Sequence, residues 1–394
     1  MRVVVCTVVH HPADARIFYR EIRALLDAGH DVVYIAPHAL TPHVLTGHDL
    51  AEHGTVRENQ DLDHPERTAG SLTTVTIPRA VGRHRLGPLR AAKAAMASQL
   101  AGADLLLVHD PELLLVLPPR HRRPATVWDV HEDTAAALTT KAWLPAWLRP
   151  VAAGGVISAE RLAERRLHLI LAERGYNARF AGTHPVVPNT TYVPAVAAPP
   201  SGPRRVVYLG HLSPDRGSAE MTQLGRLLAP HGIAVELIGP ADAAARSQIE
   251  AVQSDTGQSD PGGPAVHWHG FVPNAEALSL VEGALAGLSL LQDEANFRHS
   301  MPTKVAEYMA RGVPAVTTPL PLAAELVQAA DGGFVVPFND PGAAAEAILK
   351  LDADPDLRAT MGARAHEYAL RNLAWPPHAA AFVSQLETWA AAGR

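Results

Sequence analysis

Short apolar runs, four to seven residues long, recur along this chain between stretches of helical periodicity, and that alternation constrains the fold more than any other feature. Runs so short, and continuously apolar instead of alternating, suit strands covered on both faces of a parallel sheet. The fold class is therefore α/β, built from doubly wound βαβ units. In the first half the pattern predicts strands at 3–9, 31–36, 72–77, 104–109 and 125–130. Helices are predicted at 15–28 and 89–101, with mostly helical sequence across 140–180. Gly29 and His30 stop the first helix.

The segment 187–205, VPNTTYVPAVAAPPSGPRR, holds five prolines and little apolar periodicity, which predicts an extended linker. Beyond it the rhythm restarts, with strands at 206–208, 234–238, 266–269, 288–291 and 315–317 and helices at 218–228, 275–286, 302–310 and 343–351. The expected organisation is a domain over 1–190, a linker over 191–204 and a second domain over 205–375. A last helix within 376–394 is free to cross back to the first domain. Two sequential doubly wound domains put a ligand crevice between the carboxyl ends of their sheets.

Among 394 residues only Cys6 is a cysteine, and it lies inside the first apolar run, so a buried, unreactive thiol is expected there. The run over 1–9 lacks the charged region and cleavage site of a signal peptide, and nowhere does the chain reach the ~18 apolar residues of a membrane span. A cytoplasmic protein is expected. With 34 basic against 40 acidic residues, the net charge of -6 argues against nucleic acid as a partner. The stretch 79–93 gathers Arg79, Arg83, His84, Arg85, Arg90 and Lys93 beside Leu86 and Leu89, which suits either a solvated helix entrance or a peripheral contact with the inner membrane face. Neither domain opens with G-x-G-x-x-G, so nicotinamide or flavin chemistry has little support. His10-His11 and His267-Trp268-His269 lack the spacing of a complete ligand set, and no metal is expected.

The segment 295–318, ANFRHSMPTKVAEYMARGVPAVTT, carries the most chemistry. Ser300 can cap a helix, Pro302 suits its first position, and Gly312 can end it. Backbone N–H groups of Met301, Pro302's neighbours and Thr303, with the helix dipole and Lys304, would form an anion site suited to phosphate. Lys304 is one of only four lysines in the chain. Glu307, nearly one turn on, projects from the same face, where its oxygens could hold a ribose diol. A plainer account pairs Glu307 with Lys304 and Arg311 on a wet helix face, worth ~0.2–0.5 kcal/mol per pair.

That segment resembles the donor-binding run P-x-K-x-x-E-Y-M-A-x-G-x-P-V-V of retaining GT-B glycosyltransferases of family 4, and the likeness extends in order from VVHHPADARIFYREIRALLDAGHDV to FVVPFNDP. It implies two Rossmann-like domains facing an interdomain cleft, with transfer of a sugar from a UDP- or GDP-sugar to a hydroxyl acceptor, with retention and without a metal. The match LGHLSPDRG places His211 and Arg216 where the family holds the donor pyrophosphate, His211 standing where arginine is usual. Of the family's two acidic residues, Glu307 is present and His299 stands in the earlier position. GFVPNAE matches the base-reading loop, which puts Phe271 and Val272 near the nucleobase. Ser300, Met301, Pro302, Thr303 and Lys304 complete the implied donor site, with Arg216 and Lys304 stabilising the leaving diphosphate. His109, at the end of strand 104–109, matches the histidine that touches the donor sugar. The first turn, with His10, His11, Asp14 and Arg16, and the segment WDVHED, with His131 and Glu132, fall on the acceptor side, while Asp129 reads as a loop brace. A nucleotide-sugar 2-epimerase of the same architecture and an inactive donor-binding subunit are the alternatives.

Overall fold

The computed structural model describes residues 1–38, 70–82, 84–131, 134, 145–199, 204–256, 266–298 and 300–393. The chain divides into two compact units, Met1–Asn189 with Pro376–Arg394, and Thr190–Trp375.

Each unit is built on a six-stranded parallel sheet. The first has the order β3-β2-β1-β4-β5-β6, from β1 (Arg2–Cys6), β2 (Asp31–Pro37), β3 (Leu72–Ile77), β4 (Leu105–Val108), β5 (Ala125–Val130) and β6 (His168–Leu171). The second has the order β12-β11-β10-β7-β8-β9, from β7 (Arg205–Leu209), β8 (Ala234–Ile238), β9 (Val266–Gly270), β10 (Ala286–Ser289), β11 (Ala315–Thr317) and β12 (Gly333–Val335). These are the same doubly wound topology, and the strand order reverses between β1 and β4 in one unit and between β7 and β10 in the other. Loops at the carboxyl ends of those strand pairs diverge there and leave room for a ligand.

Both faces of each sheet are covered, as the continuously apolar runs require. Val206 and Tyr208 enter one core of the second unit while Val207, between them, enters the other. In the first unit Val4, Cys6, Leu106, Val108 and Trp128 share a single core, so the Cys6 thiol is buried.

Three sequence expectations change. The span 140–180, read as helical, holds the helix Arg149–Glu164 and then β6, whose four residues HLIL are too few to display a period. The helix expected over 15–28 begins as a π-helix, Ile17–Ile22, and becomes α-helical only at Arg23–Asp27. The residues expected to be a linker are packed on the second unit up to 199. Thr191 bridges Leu373 and Trp375, His366 Nε2 lies 2.8 Å from the Pro194 carbonyl, and Ala197 sits against Gly312.

The C-terminal helix, Trp375–Ala392, lies on the first unit. Glu387 reaches His30 at 2.9 Å, Trp389 stacks on His168 with centroids 4.6 Å apart, and Phe382 and Leu386 are fully buried.

Candidate functional site

In the second unit, the chemistry gathers where β7 and β10 part. Strand β7 ends at Leu209 and runs into Gly210, His211 and the turn Pro214–Arg216, which opens the helix Ser218–Leu228. Gly217, at φ 83°, has no alternative residue: a Cβ there would stand 2.2 Å from the Leu290 carbonyl, so only glycine lets the Arg216 turn lie against the end of β10. After β10 the chain returns as the helix Thr303–Ala310. Two helix N-termini thus meet at one switch point, each adding partial positive charge from its free N–H groups.

Tyr308 fixes that second helix. Its hydroxyl accepts from Leu209 N–H at 2.9 Å and donates to the Leu288 carbonyl at 3.0 Å, filling the gap left where the ladder between β7 and β10 ends. Gly287 makes room for the ring, because a Cβ there would fall 2.2 Å from it. Lys304, one turn earlier, is thereby held with Nζ 5.1 Å from the Tyr208 ring centroid. Arg216 lies over Phe297 at 5.8 Å.

Among the described residues neither Arg216 nor Lys304 makes a direct ion pair, and the two cations act on each other. Burial, then the charge of Arg216, lowers Lys304 to about 7, with Glu307 opposing. Partial burial of the ring, followed by the charge of Arg216, also lowers His211, so this histidine adds little charge near neutral pH. Burial first, and the neighbouring guanidinium second, disfavour the charged lysine, and an anion bound beside it would favour that form.

Glu307 is only 6% exposed and Arg311 only 3%, so the helix face is dry and the plain account of solvated pairs does not hold. Ser300 does not cap this helix. Its hydroxyl donates to the Asn296 carbonyl at 2.7 Å, the helix begins at Thr303 behind Pro302, and no side chain caps its first turn. Met301, Pro302 and Thr303 are half-buried beside it. Phe271 is 55% exposed and Val272 half-buried on the loop after β9. His299 lies outside the described residues, as does Glu132.

The switch point of the first unit is filled differently. Arg16 Nε and Nη2 grip Asp129 in bidentate fashion at 2.8 and 2.6 Å, and Nη1 donates to the Val187 carbonyl and Asn189, both at 2.9 Å. Asp129 Oδ2 also receives His109 Nδ1 at 3.2 Å and His131 Nδ1 at 3.0 Å. His131 Nε2 meets His10 Nε2 at 3.0 Å, and His10 Nε2 lies 3.2 Å from Asp110, which accepts from Thr7 Oγ1 and Val8 N–H. Glu21 completes the cluster, 3.0 Å from Arg16 and 3.6 Å from His109 Nε2.

Two expectations are corrected here. Arg16, placed on the acceptor side by the sequence, is 5% exposed and turned inward onto Asp129 and Glu21. His109 ends β4 as expected but is 1% exposed, with its ring between Asp129 and Glu21; with His10, His131 and Thr134 it borders a cavity of about 10 Å³, room for about one water. His10 and His131 are half-buried, His11 is exposed, and Asp14 is half-buried with its carboxylate accepting from the backbone of Arg16 and Ile17. Asp129 is the brace the sequence suggested.

Glu21 was not legible in the sequence. In an α-helix Arg16 and Glu21, five residues apart, diverge by about 140°; in this wide turn Glu21 N–H bonds the Arg16 carbonyl at 3.0 Å and both side chains reach the cluster. The wide turn is the signal, and it exists only once the chain is folded. The two carboxylates then separate. Burial and the nearby Asp129 push Glu21 well above the usual carboxylate range, whereas Arg16 and the two histidines overcome burial and hold Asp129 well below it.

Among the described residues one set of metal-ligand type, His109, Asp129 and His131, brings its atoms within 4.8 Å of one another. Both oxygens of Asp129 are bonded to Arg16, and a guanidinium at that distance opposes a dication, so the donor set fits a hydrogen-bonded ionic cluster better than a metal centre. No helix among the described residues is long and apolar enough to cross a membrane.

Comparison with solved structures gives the class. A sucrose-phosphate synthase from Thermosynechococcus elongatus aligns over 99% of both chains with a TM-score of 0.70 at 17% identity. HepE from Anabaena, in complex with UDP and glucose, covers 98% of this chain and 100% of its own, with a TM-score of 0.67 at 15% identity. The fold is GT-B, two doubly wound α/β domains. Residues 203–354 match the family described as Glycosyl transferases group 1. A protein described as a colanic acid biosynthesis glycosyltransferase, WcaL of Escherichia coli K12, is 27% identical over 173 residues, a match spanning 42% of this chain and 41% of the relative.

Proposed function

We propose that this protein is a glycosyltransferase that takes a hexosyl group from a UDP- or GDP-sugar and passes it to a hydroxyl acceptor, retaining the anomeric configuration and needing no metal. The observation that carries this reading is the pair of cations without ion-pair partners, Arg216 and Lys304, set at two helix N-termini where β7 and β10 part. A diphosphate bound there supplies the missing negative charge. As the bond to the sugar breaks, charge grows on the leaving phosphate, and the same groups stabilise it more strongly than in the ground state. Glu307, buried one turn beyond Lys304, is placed to take the ribose hydroxyls. The UDP and glucose in HepE lend support from the same fold. The retaining course rests on the likeness of PTKVAEYMARG to family 4.

Acceptor chemistry falls to the first unit, where His10 and His131 are the half-buried histidines and His109 acts through Asp129 as a positioning residue. His211 favours a second reading, donor binding without turnover, since it is drawn toward the neutral form where the family usually has arginine. Calorimetric titration with UDP tests the donor site: Arg216→Ala and Glu307→Ala should each weaken binding ten- to a hundredfold, the ~1.5–3 kcal/mol of a charged hydrogen bond. Unchanged titrations for both would remove the site. NMR of a UDP-sugar incubated alone separates transfer from 2-epimerisation, because only an epimerase alters the donor without an acceptor.

A further inference from the structure

The basic stretch 79–93 is partly engaged within the first unit. In the helix Leu86–Gln99 the residues Leu89, Ala92 and Met96 are buried in the core, Arg85 pairs with Glu112, and Arg79 donates to the Val9 carbonyl at 2.8 Å. Val81 and Leu86 stand exposed there.

A different surface of the first unit combines the two required features. The chain between β4 and β5 and the C-terminal half of the helix Arg149–Glu164 enclose an open groove of about 480 Å³, lined by Leu115, Leu117 and Leu162 and flanked by Arg120, Arg123 and Arg166. Leu115 is 79% exposed and Leu162 49%. Val151, 69% exposed, continues the apolar stripe of that helix, since eleven residues are close to three turns. Apolar side chains left so bare mark an interaction surface more often than chance.

The charge of the groove is not neutralised from within. Glu160 of the same helix is paired with Arg179, and Glu164 receives Gly182 N–H at 2.7 Å and His184 at 2.9 Å, so both point away from the arginines. Glu112 is taken by Arg85 and Asp104 by the Arg2 N–H. Among the described residues no carboxylate pairs with Arg120, Arg123 or Arg166, and burial together with the charges of Arg120 and Arg166 lowers Arg123. His121 and Arg122, both exposed, extend the positive rim. A local cation cluster on a chain of net charge -6 is a concentrated feature, not a reflection of composition. Among the described residues no aromatic ring lines the groove on which a base could stack, which argues against single-stranded nucleic acid.

We infer that this groove docks the protein on an anionic phospholipid bilayer, lipid phosphates meeting Arg120, Arg123 and Arg166 while Leu115 and Leu162 enter the acyl boundary. Basic residues at such a surface and apolar residues beneath it act together, which is how peripheral proteins bind reversibly without a spanning helix.

The test is co-sedimentation of the full chain with vesicles of phosphatidylcholine alone or mixed with phosphatidylglycerol. Binding is expected only to the mixed vesicles and should fall as salt rises. Combined Arg120→Ala, Arg123→Ala and Arg166→Ala substitution should weaken it roughly a hundredfold, at about fivefold per basic residue. Leu115→Ser with Leu162→Ser should weaken it about tenfold or more, and Arg90→Ala with Lys93→Ala should leave it unchanged. Lack of binding to mixed vesicles, equal binding to both kinds, or full retention by the triple variant would each overturn the assignment, as would capture of an acidic protein by the groove without any lipid binding. The triple variant should titrate UDP like the parent, so failure here is separable from failure of the donor site.

Discussion

The two switch points have the same topology and opposite electrostatics. Where β1 and β4 part, the charges are paired within the protein: Arg16 is clamped by Asp129, with Glu21 drawn toward its neutral form beside it, and the histidines lead outward from Asp129 to Asp110. Where β7 and β10 part, Arg216 and Lys304 face each other's charge beside aromatic rings. The first site is preorganised by its own bonds and spends stability if any partner is removed. The second keeps two cations without ion-pair partners, an arrangement that an anion would relieve. One fold thus supports a rigid framework in one unit and an unsatisfied site in the other, and side chains alone make the difference.

The largest expected break in that comparison is Asp129→Ala. It leaves the Arg16 guanidinium buried without its main partner, and loss of about 3–5 kcal/mol is expected in the transition of the first unit during denaturant melts. UDP affinity should hardly change. A melt within 1 kcal/mol of the parent would mean the cluster is not the framework described.

Next in size is a pH effect at the second site. Lys304 stands at about 7 in the free protein, below its ordinary 10.5, so the folded chain binds fewer protons than the unfolded one between those values. Its stability cost is therefore full below pH 7 and fades as pH rises toward the unfolded value. A bound diphosphate favours the charged amine, so binding takes up a proton. UDP affinity should drop by up to tenfold per pH unit above 7, and the titration heat at pH 8 should depend on the ionisation enthalpy of the buffer. In Lys304→Met the proton uptake should vanish; its persistence there would assign the linkage elsewhere.

Glu21→Gln should have the smallest effect. With its pKa raised by burial and by Asp129, Glu21 is stabilising in its protonated form below the unfolded value and loses that contribution as pH rises toward the folded one. A glutamine copies the protonated acid, so stability near pH 6 should stay within about 1 kcal/mol while the decline at higher pH flattens. A large loss at pH 6 in thermal melts would show that Glu21 is ionised and that Arg16 depends on it.

The sequence carried local information well. Short apolar runs named most strands, and PTKVAEYMARG located Lys304 and Glu307 on one helix with Gly312 beyond it, because a helix fixes which residues share a face over a single turn. It also put His109, Asp129 and His131 at strand ends, since the carboxyl ends of parallel strands are where such loops lie. What the side chains there do was decided elsewhere. Arg16, expected on the acceptor side from HHPADAR, becomes a buried brace because β5 presents Asp129 beneath it and Asn189 closes the far side. His109, expected at the donor sugar, is enclosed by Glu21, a residue that α-helical periodicity could not place because the helix bearing it is wider than an α-helix.

By itself, then, the amino-acid order determined the α/β class, the paired domains and the helix that carries Lys304 and Glu307, all of which follow from periodicities of a few residues. Tertiary structure alone decided that one switch point is closed by its own charges and the other is not, and that three arginines and two leucines from separate segments form one groove. The reason is range: backbone periodicity acts between neighbours, whereas desolvation and ion pairing depend on which residues meet from more than a hundred positions apart, as Arg16 and Asp129 do.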